Sequence, residues 1–189
     1  MSKFFLRATQ IFLSHGAAAG NRPSIFRKHL LLFLPFFIIF YCGGTLASFV
    51  QADRVVVVKS KRILILLQNG SVVKTYQICL GRNPVGNKIR EGDSRTPEGS
   101  YILDFRNPKS NFHLSLHISY PEKEDSVRAR QLGVSPGRDI MIHGFPDGFS
   151  MDDLGKQRDW TKGCIAVSNA DIEEIWQLVP NGTPIEILP

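Results

Sequence analysis

The run Arg62-Ile63-Leu64-Ile65-Leu66-Leu67-Gln68 is followed by Asn69-Gly70 and then by Ser71-Val72-Val73-Lys74-Thr75-Tyr76-Gln77-Ile78-Cys79-Leu80. Both arms are rich in strand-forming residues, and Asn-Gly supplies the positive φ angles of a tight turn, so the stretch predicts a β-hairpin. Outward from it, Arg54 to Val58 reads as another strand. Further short strands are expected at Tyr101 to Phe105, Leu114 to Ser119, Ile140 to Ile142, Ile165 to Val167 and Pro184 to Leu188, separated by turns rich in Gly, Pro, Asn and Asp. One segment reads as a helix. Ser168 with Asp171 resembles a capping box, Ile172, Ile175, Trp176 and Val179 recur at helical spacing, and Pro180-Asn181-Gly182 ends the pattern. The predicted fold is mainly β: a curved, sandwich-like domain with one main helix, without a repeat or a second domain.

A chain of 189 residues with 43% apolar content can bury a real core. Its net charge of +6 would suggest an anionic partner if it were spread over the fold. Five of the 23 basic residues (Lys3, Arg7, Arg22, Arg27, Lys28) and none of the 17 acidic ones precede Asp53, so the remainder is close to neutral. Nucleic-acid binding therefore loses its main support, because phosphate contacts need a basic excess on the folded part.

The basic excess flanks an uncharged run from Leu30 to Val50, densest in Leu, Phe and Ile up to Cys42. This reads as an export segment with its basic side left in the cytoplasm. Two fates stay open. Val50-Gln51-Ala52 resembles a small-residue cleavage site, whereas the run is about the roughly 20 residues that span a bilayer. The chain thus divides into residues 1–52, a basic terminus with a signal peptide or membrane anchor at about 30–50, and 53–189, a domain placed in the periplasm or cell envelope, with the inner membrane as its anchor if the segment is kept. Three cysteines are too few for a disulfide framework. Cys79 reads as a small buried strand residue, expected to lie far from Cys164.

Two short runs carry the chemistry. Ile140-Met141-Ile142-His143-Gly144 precedes Asp159-Trp160-Thr161-Lys162-Gly163-Cys164-Ile165-Ala166-Val167. A thiol attacks as thiolate, and a neighbouring imidazole is the usual means of taking its proton and lowering its pKa. Cys164 and His143 supply that pair, each where an apolar run meets glycine. The plainer alternative is an inert buried thiol and a hydrogen-bonded core histidine. An oxyanion would need donors, which the backbone amides of Gly163 and Cys164 are placed to offer.

These residues resemble the signature of the L,D-transpeptidases of bacterial peptidoglycan, the YkuD-type catalytic domain: His-Gly after an apolar strand, then Ser/Thr-x-Gly-Cys. The similarity extends through Glu91-Gly92-Asp93-Ser94-Arg95-Thr96-Pro97-Glu98-Gly99, Leu116-His117-Ile118-Ser119-Tyr120-Pro121 and Gly133 to Pro136, over about Arg54 to Pro189. The resemblance implies Cys164 as nucleophile, His143 as general acid and base, and the Gly144 carbonyl as the group orienting His143. It also implies a tetrapeptide donor that loses D-alanine, an amine acceptor on a second stem peptide, and no cofactor. Two positions depart from the pattern: Lys162 stands where many members have His, and Ala166 where many have Arg. The Thr-x-Gly-Cys-Ile-Ala form is similar to a branch in which both transfer and hydrolysis occur. A hydrolase trimming stems or releasing a wall-linked protein is therefore one alternative, and a non-catalytic peptidoglycan-binding domain another.

Four more side chains are candidates for binding substrate, each with a plainer reading. Thr161 could position the loop or be a solvated turn residue, and Lys162 could bind a substrate carboxylate or face water. Trp160 could wall the cleft or join the core, as could Tyr120. The segment from Gly144 to Asp159 is expected to form a loop or lid over the cleft. His113 and His117 share one face of a strand but lack neighbouring ligands at metal-site spacing, so no metal centre is expected.

Overall fold

Alternation of buried and open positions along the first strands shows how the sheet is built. In strand β1 (Arg54–Val58), Val55 and Val57 are fully buried, and in β2 (Ile63–Gln68) Leu64 and Leu66 are too. A period of two places these four on one face, which becomes the core side. The computed structural model describes residues 50–149, 152 and 159–189, and the export segment lies outside them. Among the described residues no helix is long and apolar enough to cross a membrane.

Asn69 and Gly70 take φ of 50° and 75°, which closes β2 onto β3 (Ser71–Gln77) as the hairpin expected. The remaining strands are β4 (Gly99–Ser110), β5 (His113–Ile118), β6 (Met141–His143), β7 (Ile165–Ala166) and β8 (Thr183–Leu188). They form an eight-stranded sheet in the order β3-β2-β1-β8-β4-β5-β6-β7. Pairing is antiparallel except between β1 and β8 and between β6 and β7. The sheet curls until its ends meet. Beyond β3, Cys79 exchanges both backbone hydrogen bonds with Ala166 (2.8 and 2.9 Å), and Thr161 N donates to Leu80 O at 3.1 Å. The predicted curved β domain is therefore a single sheet rolled upon itself.

Helix α2 (Asn169–Leu178) is the one the sequence predicts. Ser168 caps it by accepting from Asp171 N at 3.1 Å, and Ile172 and Ile175 bury against the sheet. A second helix, α1 (Lys123–Gln131), has no counterpart in the sequence reading. Its sequence, Lys-Glu-Asp-Ser-Val-Arg-Ala-Arg-Gln, carries no apolar stripe, so periodicity could not reveal it. Reciprocal bonds between Glu122 and Asp125 start it. The nearly buried Asp125 ties it inward by accepting from Tyr101 OH at 3.1 Å.

Candidate active site

Strands β6 and β7 run parallel, with Ile142 opposite Ile165 and His143 opposite Ala166. Paired residues on neighbouring strands point to the same face, and successive residues alternate. Because Ile142 and Ile165 both enter the main core, His143, Ala166 and Cys164 project from the opposite face. That face has a smaller apolar cluster of its own, formed by Cys79, Phe145 and Ala166 with Trp160 packed against them.

His143 is held from several sides. Its Nδ1 lies 2.6 Å from Gly144 O. A carbonyl only accepts, so Nδ1 carries the proton and Nε2 is left as the acceptor. The ring packs against Phe112, with centroids 4.5 Å apart, and edge-on to Trp160 at 5.8 Å. Burial lowers the imidazole pKa, and the Gly144 carbonyl offsets part of that shift. Gly144 fits because it has no side chain: a Cβ would stand 2.4 Å from Asn169 Oδ1 and 3.1 Å from Phe112 O. Asn169 Oδ1 in turn accepts from Phe145 N at 2.6 Å, so the first residue of α2 buttresses the chain leaving β6.

Cys164 is half-buried, and its Sγ donates to Asp139 O at 3.6 Å. Burial raises its pKa, the Met141 amide and the positive charge of Lys88 work against that, and Asp139 adds to it. The lowered thiol pKa expected from the His143 pairing is thus corrected. Burial thus favours the neutral form of each group.

The turn before Cys164 is pinned by Thr161. Its hydroxyl donates to Cys164 O at 2.7 Å and accepts from Gly163 N at 3.1 Å. Thr161 is buried, with its backbone bonded to Leu80 and Arg82, so it shapes the loop rather than facing substrate. The Gly163 amide, expected as an oxyanion donor, is engaged inside this turn. Gly163 adopts φ of 129°, and a Cβ there would meet Arg95 O at 2.7 Å.

Cys164 opens into a cavity of about 640 Å³ whose charged lining is Arg82, Lys88, Arg138 and Lys162 against Glu91 and Asp139. Lys162 is exposed on its wall. Tyr120 is elsewhere, and its cleft role is corrected: it is 2% exposed in the main core, and its hydroxyl donates to Pro136 O at 2.8 Å. Trp160 supports the His143 ring from the apolar cluster and does not line the cavity. Cys79 and Cys164 are not joined by a disulfide, but they are not far apart as expected. Closure of the sheet sets Cys79 opposite Ala166, two residues from Cys164. His113 bonds Glu173 at 2.7 Å and His117 bonds Asp104 at 2.6 Å, two separate pairs. The loop after Gly144 lies partly outside the described residues. Its far end is anchored by Asp159, which accepts from Arg62 Nη2 at 2.7 Å and Leu80 N at 3.0 Å.

Phe112, Asn169 and Lys88 are site residues that the sequence reading missed. Phe112 follows a turn and Lys88 sits in a polar loop, so no periodicity marks either. Asn169 reads as an ordinary first residue of a helix.

Comparison with known proteins places this geometry. YafK of Escherichia coli K12, which carries a provisional L,D-transpeptidase name, is 32% identical over 111 residues, 57% of this chain and 37% of YafK. YkuD of Bacillus licheniformis, with the same provisional name, is 29% identical over 136 residues, 72% of this chain and 66% of YkuD. Among solved structures, the helical cell shape determining protein Pgp2 of Campylobacter jejuni (K307A mutant) superposes with a TM-score of 0.56 at 27% identity, covering 73% of this chain and 47% of Pgp2. The chain thus spans well under half the length of YafK and about half that of Pgp2. The YkuD family model, the L,D-transpeptidase catalytic domain, matches residues 52–187, more than half of the chain, and the chain belongs to that family.

Proposed function

We propose that this protein is an exported cysteine L,D-transpeptidase acting on peptidoglycan stem peptides in the cell envelope. The observation that carries the reading is the shared sheet face. Cys164 opens onto the cavity, and His143 stands opposite Ala166 on that same face with its Nδ1 proton held by Gly144 O. Nε2 is thereby left to accept a proton.

Cys164 Sγ attacks the carbonyl carbon of the bond to the terminal D-alanine while its proton passes to His143 Nε2. The C–N bond then breaks, His143 returns the proton to the leaving amine, and a thioester remains on Cys164. An acceptor amine attacks the thioester, giving its proton to His143, and the thiol is released. With the Gly163 amide engaged by Thr161, we assign the oxyanion to the Cys164 amide. Lys162 stands on the cavity wall as a contact for substrate, while Thr161, Gly144 and Trp160 act by holding the turn and the imidazole.

Hydrolysis is the second reading. It is favoured by Lys162 and Ala166, which depart from the His and Arg of many members and leave the acceptor open. Water would then replace the amine, and the products would be shortened stems or a released wall-linked protein. Likeness to Pgp2, a cell-shape protein, supports wall remodelling as the setting for either outcome.

The test incubates tetrapeptide muropeptides with the full-length protein in detergent, alongside Cys164→Ala, and reads products by mass spectrometry. Cross-linked dimers with loss of D-alanine support transfer, and shortened monomers alone support hydrolysis. Turnover that survives Cys164→Ala would sink the cysteine mechanism, and a wild type that yields neither product would leave a binding domain. Export is checked separately by fusing residues 1–52 to a reporter that folds only outside the cytoplasm.

A further inference from the structure

Two lysines are almost completely buried, and their surroundings differ in one respect. Lys59 Nζ donates to Gly86 O at 2.7 Å, Thr96 O at 3.1 Å and Glu98 Oε1 at 2.8 Å. An ammonium has three protons to donate, so Lys59 is satisfied and serves the fold. Lys88 is 3% exposed and donates to Asp93 Oδ1 at 2.8 Å and Arg90 O at 3.1 Å. Among the described residues nothing takes its third proton, and Lys88 lines the cavity that holds Cys164.

Buried donors of charged groups are rarely left without an acceptor, because the loss of hydration is large. This one is also held in place. Asp93 accepts not only from Lys88 but from the amides of Ile89, Arg90 and Arg95 at 2.8 to 3.0 Å, so the ammonium is fixed rather than swinging on a free stem. The other cavity bases, Arg82, Arg138 and Lys162, are exposed, and their attraction is weakened by water and salt. Four bases against two acids in the lining favour an anion.

We infer that Lys88 is a substrate-binding residue whose third N–H receives a carboxylate of the donor peptide seated against Cys164. This rests on the function proposed above, which supplies the carboxylate-bearing peptide. Asp93 already balances the Lys88 charge, so what remains is one desolvated N–H, which a carboxylate oxygen accepts more strongly than a neutral amide oxygen does. Lys88 thereby acts in binding and positioning, and its positive charge also bears on the nearby thiol.

The test needs no turnover. Cys164 of the full-length protein is alkylated with iodoacetamide in rising N-acetyl-D-alanine or N-acetyl-D-alaninamide, and the modified peptide is quantified by mass spectrometry. The acid slows alkylation of the wild type and the amide does not. In Lys88→Met the half-protecting concentration of the acid rises roughly ten- to a hundredfold, the factor expected for a charge-assisted hydrogen bond. Lys88→Met leaves Asp93 buried alone, so Lys88→Met/Asp93→Asn, which removes the pair together, carries the test if the single variant does not fold. Lys59→Met keeps the wild-type protection. Equal protection with and without Lys88, equal protection by acid and amide, or none in the wild type would overturn the inference. D-alanine release is measured in parallel. Lys88-dependent protection without release overturns the proposed activity and keeps the anion site, whereas release with Lys88-independent protection does the reverse.

Discussion

Thr161 and Cys164 are joined by a hydrogen bond of 2.7 Å from Oγ1 to the cysteine carbonyl, while the same oxygen accepts from Gly163 N at 3.1 Å. One buried hydroxyl therefore sets the turn that delivers the thiol, and four residues of sequence become a rigid loop.

Thr161→Val keeps the shape and removes both bonds. The expected loss is about 1–3 kcal/mol in urea unfolding, with turnover falling at least about tenfold. Thr161→Ser keeps the hydroxyl and should recover most of both. A Val variant with full turnover would remove Thr161 from the positioning of Cys164.

Gly163 and Gly70 separate strain from collision. Both have positive φ, but nothing lies within 4 Å of a Cβ at Gly70, whereas one at Gly163 meets Arg95 O at 2.7 Å. Gly70→Ala should cost about 1 kcal/mol and leave turnover intact. Gly163→Ala should abolish turnover and destabilise further, read by thermal melting beside the activity assay.

Tyr120→Phe should leave KM within about twofold of wild type, because the hydroxyl bonds Pro136 O in the core and does not face the cavity. Stability should fall by about 1 kcal/mol. A KM rise beyond tenfold would return Tyr120 to substrate binding.

The opposite shifts of Cys164 and His143 predict a pH response. Native Cys164 should alkylate with an inflection above the ordinary thiol range of about 8.5, returning to it in urea. The raised folded pKa contributes stability that is present below that range and lost as pH rises through the folded value, so Cys164→Ala should be the less alkali-sensitive protein. His143 is shifted the other way, so the acid limb of kcat/KM should lie below about pH 6.5. An alkylation inflection below the ordinary range would mean a resting ion pair.

Asp93 should carry part of the acid stability. Burial pushes its carboxyl up, but hydrogen bonds from Lys88 and from the Ile89, Arg90 and Arg95 amides outweigh that and hold it at about 2. Against an unfolded value of about 3.9, this contributes roughly 2 kcal/mol, present above that value and lost as pH falls through the folded one. Asp93→Asn should flatten urea midpoints between about pH 4 and 2 relative to wild type. Parallel curves would remove Asp93 from the acid response.

What the sequence determined by itself was local or paired with a recognisable pattern. The Asn69-Gly70 hairpin, the Ser168-capped helix and the alternating strands follow from φ preferences, capping and period-two burial. His143 and Cys164 stand out because glycine and apolar runs frame them. Only the tertiary structure decided what depends on distant segments meeting. Closure of the sheet sets Cys79 beside Ala166, the core claims the Tyr120 hydroxyl, and α1 forms through Asp125 and Tyr101 rather than through an apolar stripe. Phe112 stacks on His143 because β5 pairs with β6, and Lys88 reaches the Cys164 cavity because a polar loop folds inward around Asp93. Pairing and desolvation across such separations leave no local pattern, so they become visible only when the chain has closed.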